Sequence, residues 1–155
     1  MAGRIDARLR ELGIEVPDPA PPMANYVGHV RAGDLVFVAG QIPIVRGEIQ
    51  YVGKLGDSVS LEKGQAAARI CAVNILGQLK AACGGHLDRV RRIVKLGGFV
   101  NSTPDFTQQP QVVDGASDLM VEVFGEKGKH ARAAVSSNSL PAGVAVEIDA
   151  VAEVD

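Results

Sequence analysis

The side chains in this sequence best suited to chemistry stand towards its carboxy-terminal end, where His130-Ala131-Arg132 is followed by Leu140-Pro141 and then by Val146-Glu147-Ile148. Arg132 presents five N–H donors in a planar fork that matches a carboxylate bidentately, and such charge-assisted bonds are roughly twice as strong as neutral ones. Glu147 can hold a water and carry its proton if a cleft raises the carboxyl pKa. Spacing alone favours a plainer reading, in which Arg132 is a strand-face arginine paired with Glu147 or Asp149 and Glu147 a solvated strand residue. Tyr26 offers a ring to wall a pocket and a hydroxyl to reach a polar ligand, or it is an ordinary tyrosine at the edge of a core. In Ala39-Gly40-Gln41 a glycine ends an apolar run, where the missing Cβ lets a ligand touch the backbone or simply allows a tight bend.

Other chemistries find little support. His29, His86 and His130 have no ligand spacing to one another or to the cysteines, so no metal site is expected and all three read as surface or turn residues. Cys71 falls on an apolar helical stripe and Cys83 at a helix end, which disfavours a Cys-His nucleophile. The two are too far apart along one helix for a disulfide, and a reducing cytoplasm fits that usage. Gly84-Gly85 and Gly97-Gly98 match neither nucleotide-binding fingerprint. A net charge of -2 with 22% charged residues leaves no broad basic surface for nucleic acid. No stretch approaches the roughly 18 apolar residues of a membrane span, and the first residues lack the continuous apolar run of a signal peptide, so a soluble protein is expected.

The elements that must position these residues follow from periodicity. A chain of 155 residues fits one domain. With 4% aromatics and no tryptophan, its core must be built from small aliphatic side chains that allow close backbone approach, and such a chain gains by oligomerising. Ile5, Leu9 and Leu12 predict a short amphipathic helix over 3–12 ending at Gly13, and the prolines between Pro17 and Pro22 predict an extended tether. Residues 1–22 thus read as helix and tether, and 23–155 as the folded domain. A β pattern starts at Tyr26 and runs through Val30; a turn at 31–34 and a buried strand at 35–39 complete a hairpin. A loop with a brief third strand is expected within 41–51. Ser58 or Ser60 can cap a helix running to about Ala82, stopped by Gly84-Gly85. A strand over Val90–Val100 precedes a second helix over Pro110–Phe124, with Val113, Ala116, Met120, Val123 and Phe124 inward. Two strands, 131–138 and 143–154, close the chain, the last alternating apolar with polar residues. The order βββαβαββ, with both helices able to cover one face of a sheet, predicts a two-layer α+β domain.

The run Val38-Ala39-Gly40-Gln41-Ile42-Pro43, the pair Ala131-Arg132, and Leu140-Pro141 followed by Val146-Glu147-Ile148 together resemble the RidA family, also called YjgF or endoribonuclease L-PSP-like proteins. The resemblance extends from Tyr26 to Val154. It implies a chorismate-mutase-like homotrimer with a central barrel of three sheets, helices outside and clefts between subunits. It also implies hydrolysis of reactive enamines and imines such as 2-aminoacrylate to 2-keto acid and ammonia, with no metal or bound cofactor. Carried onto this chain, it makes Arg132 the anchor of a small carboxylate-bearing metabolite and Glu147 the group that positions water and returns a proton. Tyr26 is then implied to line the cleft, with Ala39, Gly40, Ala134 and Asp114 contacting the substrate. The chain departs from the deaminase pattern at Ala24-Asn25-Tyr26-Val27-Gly28, where Gly-Pro-Tyr-Ser-Gln is usual, at Ala39, where serine is usual, and at Asp114, where asparagine is frequent. The alternative from another class is a non-catalytic trimer that binds a small carboxylate. Near-neutral charge, few aromatics and the lack of a histidine pair disfavour ribonuclease activity.

Overall fold

The computed structural model describes residues 3–19, 21 and 24–155 of the chain. Helix α1 spans Arg4–Leu12 and stops at Gly13, whose φ of 68° is the left-handed conformation that glycine adopts without a Cβ clash. It is part of the main body: Leu9 is buried in the common core, and Arg8 Nε donates to the Glu122 carbonyl at 2.8 Å. Residues 14–19 then run without regular structure, and the Pro17 carbonyl lies against Gly77. The rest of the expected tether falls partly on positions 20 and 22, outside the described residues.

Strands β1 (His29–Ala32), β2 (Leu35–Gln41), β3 (Ile44–Val45) and β4 (Glu48–Ile49) precede α2 (Leu61–Ala82). They are followed by β5 (Val90–Asn101), α3 (Gln109–Phe124), β6 (Ala131–Ser137) and β7 (Val146–Val154). Five strands form one sheet in the order β1-β2-β7-β5-β6, in which only β5 and β6 are parallel, as the helical crossover through α3 requires. The last two strands are therefore not a hairpin, because β5 lies between them.

Three expectations need correction. The first strand begins at His29, since Ala24 and Asn25 form a turn with Ala24 at φ 64° and Tyr26 has no strand partner. The brief third strand is one arm of a separate hairpin, β3-β4, whose turn holds Arg46 and Gly47 at φ 52° and 79°, so it adds nothing to the main sheet. Finally, β2 is buried on one side only: Val36 and Val38 lie under the helices, while Phe37 is 45% exposed on the opposite face.

Both long helices cover the same face of the sheet. Ser60 Oγ caps α2 by accepting from the Lys63 amide at 3.2 Å, and Ala67, Ala68, Cys71, Ala72, Ile75, Leu76 and Leu79 form its buried stripe. Facing them are Val36, Leu96, Ile148, Ala150 and Ala152 of the sheet and Val112, Ala116, Leu119 and Met120 of α3. Small residues set the spacing. A Cβ on Gly98 would meet Val113 of α3 at 2.5 Å, and one on Gly115 would meet the Gln65 carbonyl of α2 at 2.1 Å. Because the second obstacle is backbone, Gly115→Ala is expected to push α2 and α3 apart and cost about 1–3 kcal/mol. Thermal unfolding should show a clear drop in Tm for Gly115→Ala and a smaller one for Gly33→Ala, where nothing stands within 4 Å of a Cβ and only the φ of 62° is penalised, by about 1 kcal/mol.

Candidate functional site

The strand registers decide where the predicted site residues point. Along β5, Leu96 and Gly98 face the helices, whereas Gly97 and Phe99 face the open side of the sheet. Arg132 pairs with Leu96 and Ala134 with Gly98, so both point towards α3. Glu147 pairs with Phe99 and Asp149 with Gly97, so both carboxylates point the other way. Arg132 and Glu147 of one chain thus stand on opposite faces of the sheet, about 10 Å apart across it with β5 between their strands, and offset along it from Leu96 to Phe99.

On the helix side, Arg132 Nη1 donates to Asp114 Oδ1 at 2.8 Å and to Ser117 Oγ at 3.1 Å. The arginine side chain is 21% exposed and that of Asp114 48%, so the pair sits at a partly wet rim and contributes only modest stability. The partner of Arg132 is therefore Asp114, not Glu147 or Asp149. Ser117 Oγ also lies 2.8 Å from His130 Nε2, and His130 Nδ1 lies 2.6 Å from the Gly128 carbonyl. Asp114, Ser117, Val121, Lys129, His130 and Arg132 line an open hollow of about 410 Å³. Larger is a groove of about 470 Å³ between the segment after α1, β3 and α2, which contains none of the predicted site residues.

On the open side, the Glu147 carboxylate occupies the space above Gly40, where a Cβ would come within 2.4 Å of Oε2. The glycine there serves a close approach, but the group that approaches is a carboxylate of the same chain. Ala39 and Gly40 lie in a bulge of β2, between the pairs Val38–Ala150 and Gln41–Ile148. Burial pushes the Glu147 pKa up, and the neighbouring negative charge of Asp149 pushes it further. Burial likewise raises the Cys71 thiol well above its ordinary value, with the Glu147 charge adding to the effect, so this thiol is inert. Tyr26 is 58% exposed and precedes β1, at the opposite edge of the sheet from β6. Four strand spacings, roughly 19 Å, separate those edges. Tyr26, Ala39, Gly40 and Glu147 therefore belong to one side and end of the molecule, and Arg132, Ala134 and Asp114 to the other.

The loop linking β6 to β7 is pinned from beneath. The buried Asn101 donates through Nδ2 to the carbonyls of Gly53 (3.2 Å) and Val144 (3.1 Å) and accepts from Lys54 Nζ at 2.8 Å; the same ammonium donates to the Asn138 carbonyl. These bonds fix the segment through Leu140-Pro141 and hence the offset between Arg132 and Glu147.

A family model described as "YjgF/chorismate mutase-like, putative endoribonuclease" matches residues 6–154. The chain belongs to the YjgF family. Protein TCP17 of Trypanosoma cruzi is 49% identical over 155 residues, covering 99% of this chain and 96% of that protein. A crystal structure of a protein of unknown function from Agrobacterium tumefaciens, 48% identical, superposes with a TM-score of 0.92 over 97% of this chain and 92% of its own. TdcF of Escherichia coli, solved with bound serine, is 25% identical with a TM-score of 0.63, covering 89% and 94% of the two chains. The α+β architecture is accordingly the chorismate-mutase-like fold of YjgF proteins. No helix among the described residues is long and apolar enough to cross a membrane.

Two members of the helix-side cluster, Ser117 and His130, do not stand out in the sequence, where His130 reads as a turn residue. The available signal is their spacing: Ser117 is three positions after Asp114 on one helix, and His130 two positions before Arg132 on the approach to one strand. Since the folded-state pKa of Glu147 is raised, the stability linked to its proton is fully present below the ordinary glutamate range and lost as pH rises through the raised value. Glu147→Gln should therefore raise Tm at neutral pH, and the gain should vanish in acid; unfolding curves recorded from pH 3 to 8 check this.

Proposed function

We propose that the protein hydrolyses small carboxylate-bearing imines and enamines, of the 2-aminoacrylate kind, to keto acid and ammonia, in clefts formed where copies of the chain meet in a homotrimer. The observation that carries this reading is the division of the site residues into two complementary half-sites. The helix-side half supplies a cation: Nη1 of Arg132 is held by Asp114 and Ser117, and the other edge of the guanidinium is left to grip a ligand carboxylate. The open-face half supplies a carboxylate whose pKa is raised by burial and by Asp149, which suits a group that must take and return a proton. Neither half is complete alone, because no single chain brings Arg132 near Glu147.

The open face also offers the surface such an assembly needs. Val30, Phe37 and Val151 form one continuous cross-strand row, and Phe99 and Val135 flank each other in another, with Val30, Phe37 and Val135 about half exposed. An apolar sheet face without a covering layer marks an association surface. In the assembled cleft, Glu147 of one copy holds a water against the imine carbon while Arg132 of the next holds the carboxylate. The water oxygen bonds to the imine carbon as one of its protons passes through Glu147 to nitrogen; the remaining hydroxyl proton then follows the same route as the carbonyl forms and the C–N bond breaks, releasing ammonia. Tyr26, Ala39, Gly40 and the backbone near Ala134 shape the pocket around these groups. That the relative TdcF was solved with bound serine supports a small amino-acid-derived ligand.

Asp114 enters this reading as a rival of the substrate, since its carboxylate already sits on Arg132. Arg132→Ala is expected to lower kcat/KM for freshly generated 2-aminoacrylate by roughly 100-fold or more, as loss of a charge-assisted pair implies. Asp114→Asn, which frees the guanidinium, is expected to lower KM about two- to five-fold, as befits a partly exposed ion pair. Ammonia release, followed alongside size-exclusion chromatography, is the measurement. Wild-type rates no higher than background for a series of amino-acid-derived imines would contradict the enzymatic reading and leave a carboxylate-binding protein.

A further inference from the structure

We propose that Ser117 and His130 form a nucleophile–base pair that cleaves small, negatively charged acyl esters. The neighbours of His130 dictate where its ring proton sits. His130 Nδ1 lies 2.6 Å from the Gly128 carbonyl oxygen, which can only accept, so Nδ1 carries the ring proton. In the neutral imidazole Nε2 is then a lone-pair acceptor. Ser117 Oγ, 2.8 Å away, must donate its hydroxyl proton to Nε2. A second donor, Arg132 Nη1, reaches the same oxygen at 3.1 Å and uses one of its lone pairs. This is the chain of nucleophile, base and orienting group that activates serine for acyl transfer, with a backbone carbonyl standing in for the usual carboxylate.

The surroundings fit that chemistry. The pair opens into the hollow of about 410 Å³ lined also by Asp114, Val121, Lys129 and Arg132, so a small substrate can reach Oγ. The guanidinium beside Oγ is placed to stabilise an oxyanion forming on the adjacent carbonyl. Lys129, whose ammonium contacts Glu126 at 3.0 Å on the exposed rim, adds a second cation. An acyl group bearing its own carboxylate is therefore favoured over a neutral one. In the reaction Oγ bonds to the carbonyl carbon as its proton moves to Nε2; the tetrahedral adduct collapses, the ester C–O bond breaks, and the leaving alkoxide takes the proton from Nε2. Water, deprotonated by the same nitrogen, then attacks the acyl-serine and releases the acid, restoring Ser117. This activity shares Arg132 with the imine reading but requires neither Glu147 nor a second copy.

The test treats the full chain with a fluorophosphonate probe and maps adducts by mass spectrometry, then compares hydrolysis of p-nitrophenyl acetate with that of mono-p-nitrophenyl succinate. Expected are a single adduct on Ser117, several-fold faster turnover of the succinate ester, and loss of both labelling and turnover in Ser117→Ala. His130→Gln, which keeps polar atoms but no base, should slow ester turnover by about 100-fold or more at nearly unchanged Tm, in line with general-base contributions. A folded wild-type protein that takes no adduct at Ser117, or ester hydrolysis that survives in Ser117→Ala or His130→Gln, overturns the proposal.

Discussion

Side-chain alternation along a β-sheet is the constraint on which the rest of this molecule depends. Val146, Ile148, Ala150, Ala152 and Val154 of β7 are buried under the helices, so Glu147, Asp149, Val151 and Glu153 must face the other side. The parallel register of β6 on β5 fixes Arg132 beside Leu96, on the helix face. A shift of one residue in β7 would bring arginine and glutamate to the same face, but it would also expose the apolar row of β7. The burial that stabilises the fold is thus the same fact that separates the two charged groups. It is why no single chain brings the cation and the acid together.

Close approach between elements supplies the second layer of the account. With few aromatic side chains, the domain obtains its density from alanine, glycine and valine, and the backbones of α2, α3 and β5 come together at Gly98 and Gly115. That closeness places the first turns of α3 over β6, so that Asp114 and Ser117 meet Arg132 at hydrogen-bonding distance. The Asn101–Lys54 network anchors the connection between β6 and β7 from the other side. Packing and site geometry are one construction here.

Much of this was legible in the sequence. The alternation of β7 is explicit in Val-Glu-Ile-Asp-Ala, and the stripes of α2 and α3 repeat at three- and four-residue steps, so both helices and the parity of Glu147 could be read directly. The parity of Arg132 could not, because alanine stands on both sides of it and offers no inward or outward signal; only pairing with β5 decides. The same limit applies to β2, where Phe37 lies in an unbroken apolar run that reads as fully buried yet serves an open face. Tyr26 has strand-like character but no partner strand, so β1 starts only at His29. The Ser117–His130 contact joins a helix to a strand approach and leaves no periodic trace. Asp114 was legible as an unusual charge, while its role as the partner of Arg132 is a product of α3 crossing β6.

The central claim is that Arg132 of one copy and Glu147 of another make one cleft. Its most direct test is complementation between Arg132→Ala and Glu147→Gln chains carrying different affinity tags, co-expressed and purified in tandem so that only mixed assemblies remain. Each variant alone should be inactive on 2-aminoacrylate. In a mixed trimer one cleft regains both groups, so the account predicts about a third of wild-type ammonia release. Mixed trimers no more active than their parents would contradict it.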